Sequence, residues 1–192
     1  MKLVGSTPSP YVRRLRLWLE GEDYEFMDLN IYSPQGREVL KTYTPAMKIP
    51  MLVDGEQKVF DSRMIYRYLN DKLRRKALSL EQENNITLTD SVLDAFIIIL
   101  LSNRSGIDAS QDAMIYNLQR ERVALTLPVL EEKVKAGEFD EWQYPAICLF
   151  STLDWITFRD LFDFGDYPAL SAFREQHLSR TIAKKTDPRQ SA

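Results

Sequence analysis

The stretch Lys48-Ile49-Pro50-Met51-Leu52-Val53-Asp54-Gly55-Glu56-Gln57-Lys58-Val59-Phe60-Asp61-Ser62 decides the fold. Two short runs, 51–53 and 58–60, flank Asp54-Gly55, a hairpin turn pair, and so read as antiparallel strands three and four. Pro50 has no N–H to give a ladder and stands where a strand begins, a place that tolerates the loss and leaves the Ile49 N–H and carbonyl for another partner. Asp61-Ser62 precedes Ile65, Tyr68 and Leu69 at helical spacing, with Ser62 the expected cap.

Working back toward the N-terminus, residues 2–4 form a short apolar strand that ends in the turn cluster Gly5-Ser6-Thr7-Pro8-Ser9-Pro10. Ser9 suits an N-cap, and Pro10 suits a first helical position, where its missing N–H costs no bond. Tyr11, Leu15, Trp18 and Leu19 then recur at helical spacing, so a helix runs to about Glu20 and stops at Gly21. A strand over 24–29 and a short helix over 35–43 complete a β-α-β-α-β-β-α order within residues 1–75.

Working forward, residues 73–84 are charged and polar and read as a linker or a solvated helix end, and strand signals stop beyond them. Helices are predicted over 86–103, 113–135, 147–162 and 169–177, broken by Gly106, Gly137, Pro145 and Pro168. The expected organisation is an α/β domain over 1–75, a linker over 76–84 and an all-α domain over 85–192, its tail from 184 polar and frayed. The apolar run 95–101 packs between helices or at a subunit interface.

Composition removes several classes of function. The 192 residues are 44% hydrophobic and 28% charged, with 7 Gly and 9 Pro, which suits a packed helix-rich globule and not a disordered chain. A net charge of -3 and a pI near 5.3 give no general attraction to nucleic acid. Cys148 is the only cysteine, so no internal disulfide forms and no thiolate zinc site can be built. The start of the chain has no signal-peptide pattern, and the run 95–101 falls far short of the ~20 residues of a membrane span. These points predict a cytoplasmic protein without nucleic-acid or membrane partners.

A β-α-β-α-β-β-α unit is common to thioredoxin-like domains, whose ligand face lies where the first helix begins and where a proline precedes the third strand. Ser9, Pro50 and Asp61-Ser62 meet that requirement. Two helix N-termini aimed at one cleft present unpaired N–H groups and positive dipole ends, which suits an anion. Arg13 and Arg14 stand near the start of the first helix, where the dipole disfavours cations. A ligand carboxylate, a partner acid or plain solvation answers for them.

Taken together, Ser9-Pro10-Tyr11-Val12-Arg13-Arg14, Lys48-Ile49-Pro50-Met51-Leu52-Val53 and Phe60-Asp61-Ser62 resemble the bacterial glutathione S-transferase family. Weaker similarity continues through Leu153-Asp154-Trp155-Ile156-Thr157-Phe158-Arg159 and Tyr167-Pro168-Ala169-Leu170. The resemblance implies a glutathione-binding homodimer with a cis Pro50, in which the Ile49 backbone pairs with the cysteinyl part of glutathione. It gives the γ-glutamyl end to Asp61 and Ser62, and Ser9 the catalytic place. A serine hydroxyl donating to the glutathione sulfur, aided by the helix dipole, lowers the thiol pKa from about 8.5. The thiolate then attacks a small electrophile, a peroxide or a disulfide. With Ser in place of Cys, no mixed disulfide with the protein forms there. Lys41 and Lys48 are candidates for the glycine carboxylate.

Two departures support a rival reading, a non-catalytic protein-binding or regulatory module of the same fold. Thr44-Pro45-Ala46-Met47 stands where many relatives have Asn-Pro-x-Gly. Gln143-Tyr144-Pro145-Ala146 replaces the Ser/Thr-x-x-Asp box that opens their core helix, leaving Asp140 or Pro145 to supply a start. Among the remaining residues, Cys148, Trp155 and Phe158 read as core, and His177 as a cation suited to a helix C-terminus.

Overall fold

The computed structural model describes residues 1–191, which divide into two compact units, Met1–Ala77 joined by the segment from Thr181 onward, and Leu78–Arg180. The first unit holds β1 (Lys2–Gly5), α1 (Pro10–Trp18), β2 (Glu25–Asp28), α2 (Pro34–Tyr43), β3 (Met51–Asp54), β4 (Gln57–Phe60) and α3 (Ser62–Lys72). Its sheet has the order β2-β1-β3-β4, with β1 parallel to β2 and β3 antiparallel to both of its neighbours. The predicted α/β order is therefore present, with strands and helices within a few residues of their expected limits.

Side chains of β1 and β3 face one another in register, Leu3 with Leu52 and Val4 with Met51, and all four are buried. Val4 and Met51 continue into a cluster with Leu29 and Leu40, against which Met27, Val39 and Met47 pack. Burying side chains of this size stabilises by about 1.5–3 kcal/mol each. α2 begins at a Ser33 cap whose Oγ accepts the Gly36 N–H at 3.0 Å.

The turn without glycine keeps a left-handed residue all the same. Met47 has φ +53°, and the buried Thr44 braces the turn by accepting the Ala46 N–H on its Oγ1 at 3.1 Å. A side chain in this conformation costs about 1–2 kcal/mol, part of which glycine returns through its freer unfolded state. Met47→Gly is therefore expected to melt higher than Met47→Ala, by roughly 0.5–1 kcal/mol, although both lose the same packing. Equal stabilities in thermal unfolding would place the strain elsewhere.

The second unit holds α4 (Leu80–Arg104), α5 (Met114–Lys135), α6 (Tyr144–Phe158) and α7 (Pro168–Leu178). By length and composition α4 could cross a membrane, but Ile86, Val92, Leu93, Ala95 and Phe96 are buried and the helix packs against α5 and α6. Its Asn85 donates to Glu138 at 2.9 Å. α6 is the core helix, buried at every position from Tyr144 to Ile156. It starts at Gln143 without a side-chain cap and with proline in its first turn. Asp154 lies within it, fully buried, and accepts Nε and Nη2 of Arg174 at 3.0 and 2.9 Å.

Four expectations are corrected. Asp61, not Ser62, caps α3. The linker is shorter than 76–84, because Ser79 and Gln82 form a reciprocal capping box at 3.2 and 2.9 Å that starts α4 at Leu80. The tail is not frayed: Thr181–Lys185 form α8, Pro188–Ser191 form a 3-10 turn, and Ala183 and Thr186 are buried. His177 is not the cation expected at the end of α7, because it is buried against aromatic rings. In addition, α7 has no local cap. Glu131 of α5 caps it from a distance, accepting the Ala169 and Leu170 N–H groups at 2.9 Å each.

Candidate functional site

The strand register brings most of the predicted residues to one end of the sheet. Val4 faces Met51 and Met51 faces Phe60, so Gly5, Pro50 and Asp61 are the next residues across three adjacent strands, a span of roughly 10 Å. Both α1 and α3 start at that end. Gly5 permits the turn into α1, since a Cβ there would stand 2.4 Å from Cγ2 of Val12. Thr7 pins the loop to β2, donating its N–H to Asp28 Oδ1 at 2.9 Å and its hydroxyl to Oδ2 at 2.5 Å.

Ser9 is therefore held half-buried at the N-terminus of α1. Its Oγ accepts the Val12 N–H at 3.4 Å, longer than an ordinary hydrogen bond. Among the described residues its hydroxyl proton has no acceptor. A donor in the field of a helix N-terminus, with its proton uncommitted, is suited to an incoming anion.

The Ile49-Pro50 peptide bond is cis. Pro50 is buried and Ile49 half-buried, and no partner for the Ile49 N–H or carbonyl is found among the described residues. An extended ligand can pair with both groups, as an added strand would.

Asp61 is exposed and adopts φ +70° and ψ 136°, a region nearly closed to residues with a Cβ. Its Oδ1 accepts the Arg63 N–H at 2.9 Å and the Met64 N–H at 3.3 Å. Among the described residues Oδ2 accepts nothing, so half of the carboxylate remains for a cationic ligand group. Ser62, the first residue of α3, is buried beside it.

The other candidates lie apart from this group or have other duties. Lys41 is exposed on α2, bound to Glu38 at 2.6 Å, in a surface cleft of about 520 Å³ shared with Tyr32, Pro34, Gln35 and Arg37. None of the residues gathered at the sheet end lines that cleft. Arg13 and Arg14 are buried, not solvated. Arg13 donates to the Ala183 carbonyl at 3.1 Å and to Thr186 Oγ1 at 3.4 Å, while Arg14 stacks over the Tyr11 ring at 4.8 Å. Cys148 is buried and in no disulfide, Trp155 is buried and Phe158 half-buried. No cluster of His, Cys, Asp or Glu suited to a metal occurs among the described residues.

A thioredoxin-like α/β unit of this topology, with a cis proline opening its third strand and an all-helical unit after it, is the glutathione transferase fold. Comparison with known proteins agrees. Residues 3–76 match the family described as glutathione S-transferase, N-terminal domain. The chain is 29% identical to the uncharacterized GST-like protein YibF of Escherichia coli, over 98% of each chain. It is 28% identical to glutathione S-transferase Z2 of Arabidopsis thaliana, over 70% of this chain and 52% of that one. Its fold is similar to a glutathione S-transferase from Methylobacillus flagellatus with bound glutathione, at 21% identity and a TM-score of 0.82, covering 97% and 98% of the two chains. It is also similar to a glutathione transferase family member from Pseudomonas fluorescens with bound glutathione, at 24% identity and a TM-score of 0.80, with 97% and 98% covered. Residues 3–76 are thus a glutathione S-transferase N-terminal domain, and the chain has the glutathione transferase fold.

Proposed function

We propose that this chain binds glutathione at the end of the sheet marked by Ser9, Ile49, Pro50, Asp61 and Ser62, and activates its thiol for attack on a small electrophile. The observation that carries the reading is Ser9, a hydroxyl with an uncommitted proton at a helix N-terminus, at the same end of the sheet as a cis proline whose preceding residue has its backbone groups open. Glutathione pairs its cysteinyl backbone with Ile49, which directs the sulfur toward Ser9. The γ-glutamyl ammonium meets Asp61 Oδ2, and its carboxylate meets the N-terminus of α3. The hydroxyl hydrogen bond and the α1 dipole both favour thiolate over thiol, so the proton leaves to solvent and the sulfur lone pair attacks. Attack on a peroxide by the same thiolate breaks the O–O bond and leaves a glutathione sulfenic acid, and attack on a disulfide expels one thiolate and leaves a mixed disulfide; a second glutathione thiol then releases either product as oxidised glutathione. The similarity to enzymes with bound glutathione supports this reading.

Titration of glutathione into the protein, followed by the ultraviolet thiolate band against pH, tests it. Ser9→Ala should leave glutathione bound but raise the bound thiol pKa by about one unit, which at neutral pH is roughly a tenfold loss of thiolate and of rate. An unchanged pKa would reduce Ser9 to a helix cap and remove the mechanism.

We further propose a cytoplasmic homodimer. Met114, Leu118, Leu125 and Val129 fall within about a 60° arc of α5, and all four are exposed, Met114 by 78% and Leu125 by 68%. An apolar stripe of that length on one helix suits an interface. Light scattering should give twice the 22.4 kDa chain mass for the wild type and one chain for Leu118→Glu/Leu125→Glu. A dimer that survives the double substitution uses another face.

A further inference from the structure

We infer that the C-terminal segment Thr181 to Thr186 is a strap that fixes the first turn of α1, and with it the Ser9 hydroxyl, through Arg13 as a positioning residue. The inference rests on the role proposed above for Ser9. Arg13 lies one turn beyond Ser9, and its N–H donates to the Ser9 carbonyl at 2.9 Å, so the two residues close the same turn. Arg13 is only 2% exposed, in a position where the helix dipole opposes a cation. A buried guanidinium is retained only if its donors are met. The strap meets two of them: the Ala183 carbonyl accepts Nη2 at 3.1 Å and Thr186 Oγ1 accepts Nε at 3.4 Å.

The strap is arranged to accept. The Thr186 hydroxyl gives its own proton to the Ile182 carbonyl at 2.8 Å, which turns an oxygen lone pair toward Arg13. Ala183 and Thr186 are 1% and 2% exposed, and a helix of five residues does not persist without docking. The Ser9 backbone is held by its N–H to the Ser6 carbonyl at 2.9 Å, but its hydroxyl has only the 3.4 Å cap bond, so the oxygen follows the turn that Arg13 closes. Moving Arg13 therefore moves the Ser9 oxygen relative to a bound sulfur.

Ala183→Arg in the full chain sets a second cation against Arg13 and fills a closed site, which ejects the strap without touching the proposed binding residues. The pKa of the bound glutathione thiol should rise by about one unit, while affinity for S-methylglutathione, which has no thiol to ionise, should stay within about threefold. Thr186→Ser, which keeps the hydroxyl, should retain the wild-type pKa. Should Ala183→Arg fail to fold, Thr186→Val carries the test, with a smaller shift of the same sign. A wild-type pKa in the ejected or hydroxyl-free variant overturns the strap and leaves the reading of Ser9 intact. Absence of glutathione binding to the wild type overturns both.

Discussion

Asp61→Asn should weaken glutathione binding by about 30- to 100-fold while leaving the melting temperature nearly unchanged, because the two duties of this side chain depend on different properties. As a cap it needs only an oxygen, which accepts from Arg63 and Met64, and Asn caps as well as Asp. Asn also tolerates the positive φ of +70° better than most residues with a Cβ. As a ligand for the γ-glutamyl ammonium it needs charge, and a charge-assisted hydrogen bond is worth about 1.5–3 kcal/mol. The backbone points the same way. A residue held at φ +70° and ψ 136° costs about 1–3 kcal/mol, and such positions persist where a ligand clamp needs them. Asp61→Gly relieves that cost, giving up the cap but little net stability, and should bind glutathione no better than Asp61→Asn. Calorimetric titration of the three chains decides the matter. An affinity of Asp61→Asn within about threefold of wild type would mean that the carboxylate serves α3 alone.

What the sequence disclosed and what it hid follow from the range of the forces involved. The hairpin at Asp54-Gly55 and the Ser9-Pro10 helix start rest on neighbours in sequence, and both were legible, whereas the Ser33 cap of α2 was not read although Ser33-Pro34 repeats the Ser9-Pro10 pattern. Asp61 and Ser62 are adjacent residues of equal capping aptitude, and only the backbone turn at Asp61 selects between them. The start of α4 was missed because its apolar periodicity begins at Ile86, several residues inside a helix opened by the polar pair Ser79 and Gln82. Three features had partners that no local pattern could name. Glu131 caps a helix 38 residues away, Arg13 meets a carbonyl 170 residues away, and Asp154 pairs with Arg174 inside the core. In each case a buried charge is matched by a partner that only the folded chain supplies, so spacing alone could not reveal it. That the candidate residues meet at one end of the sheet was legible for the opposite reason. Ser9, Pro50 and Asp61 each stand at the boundary of an element, and boundaries are what turn and cap residues mark.

Acid should destabilise the protein through His177 before its carboxylates titrate. His177 is 2% exposed, with its ring centroid 4.4 Å from that of Trp142 and 4.5 Å from that of Phe173, and its Nδ1 accepts Nε of Arg180 at 3.0 Å. That bond leaves the ring proton on Nε2 in the neutral form and has no place for the doubly protonated one. Burial, with the Arg180 cation adding to it, lowers the His177 pKa to about 4. The unfolded chain takes up a proton near the ordinary value of about 6.5, so it gains on the folded state as the pH falls. The stability that neutral His177 protects is complete above about pH 6.5 and declines by about 1.4 kcal/mol per pH unit. The loss reaches about 3 kcal/mol near pH 4, below which this residue adds nothing more. Further loss at lower pH falls to Asp54, held low by Lys72 and Tyr68, and Glu138, held low by Lys133 and Asn85, as both take up protons. His177→Phe fills the same aromatic niche without a titrating group. In urea unfolding it should be slightly less stable than wild type at pH 7.5, where the Arg180 bond is lost, and more stable by about 2 kcal/mol at pH 4.5. A difference between the two chains that does not change with pH would assign the acid sensitivity to the carboxylates instead.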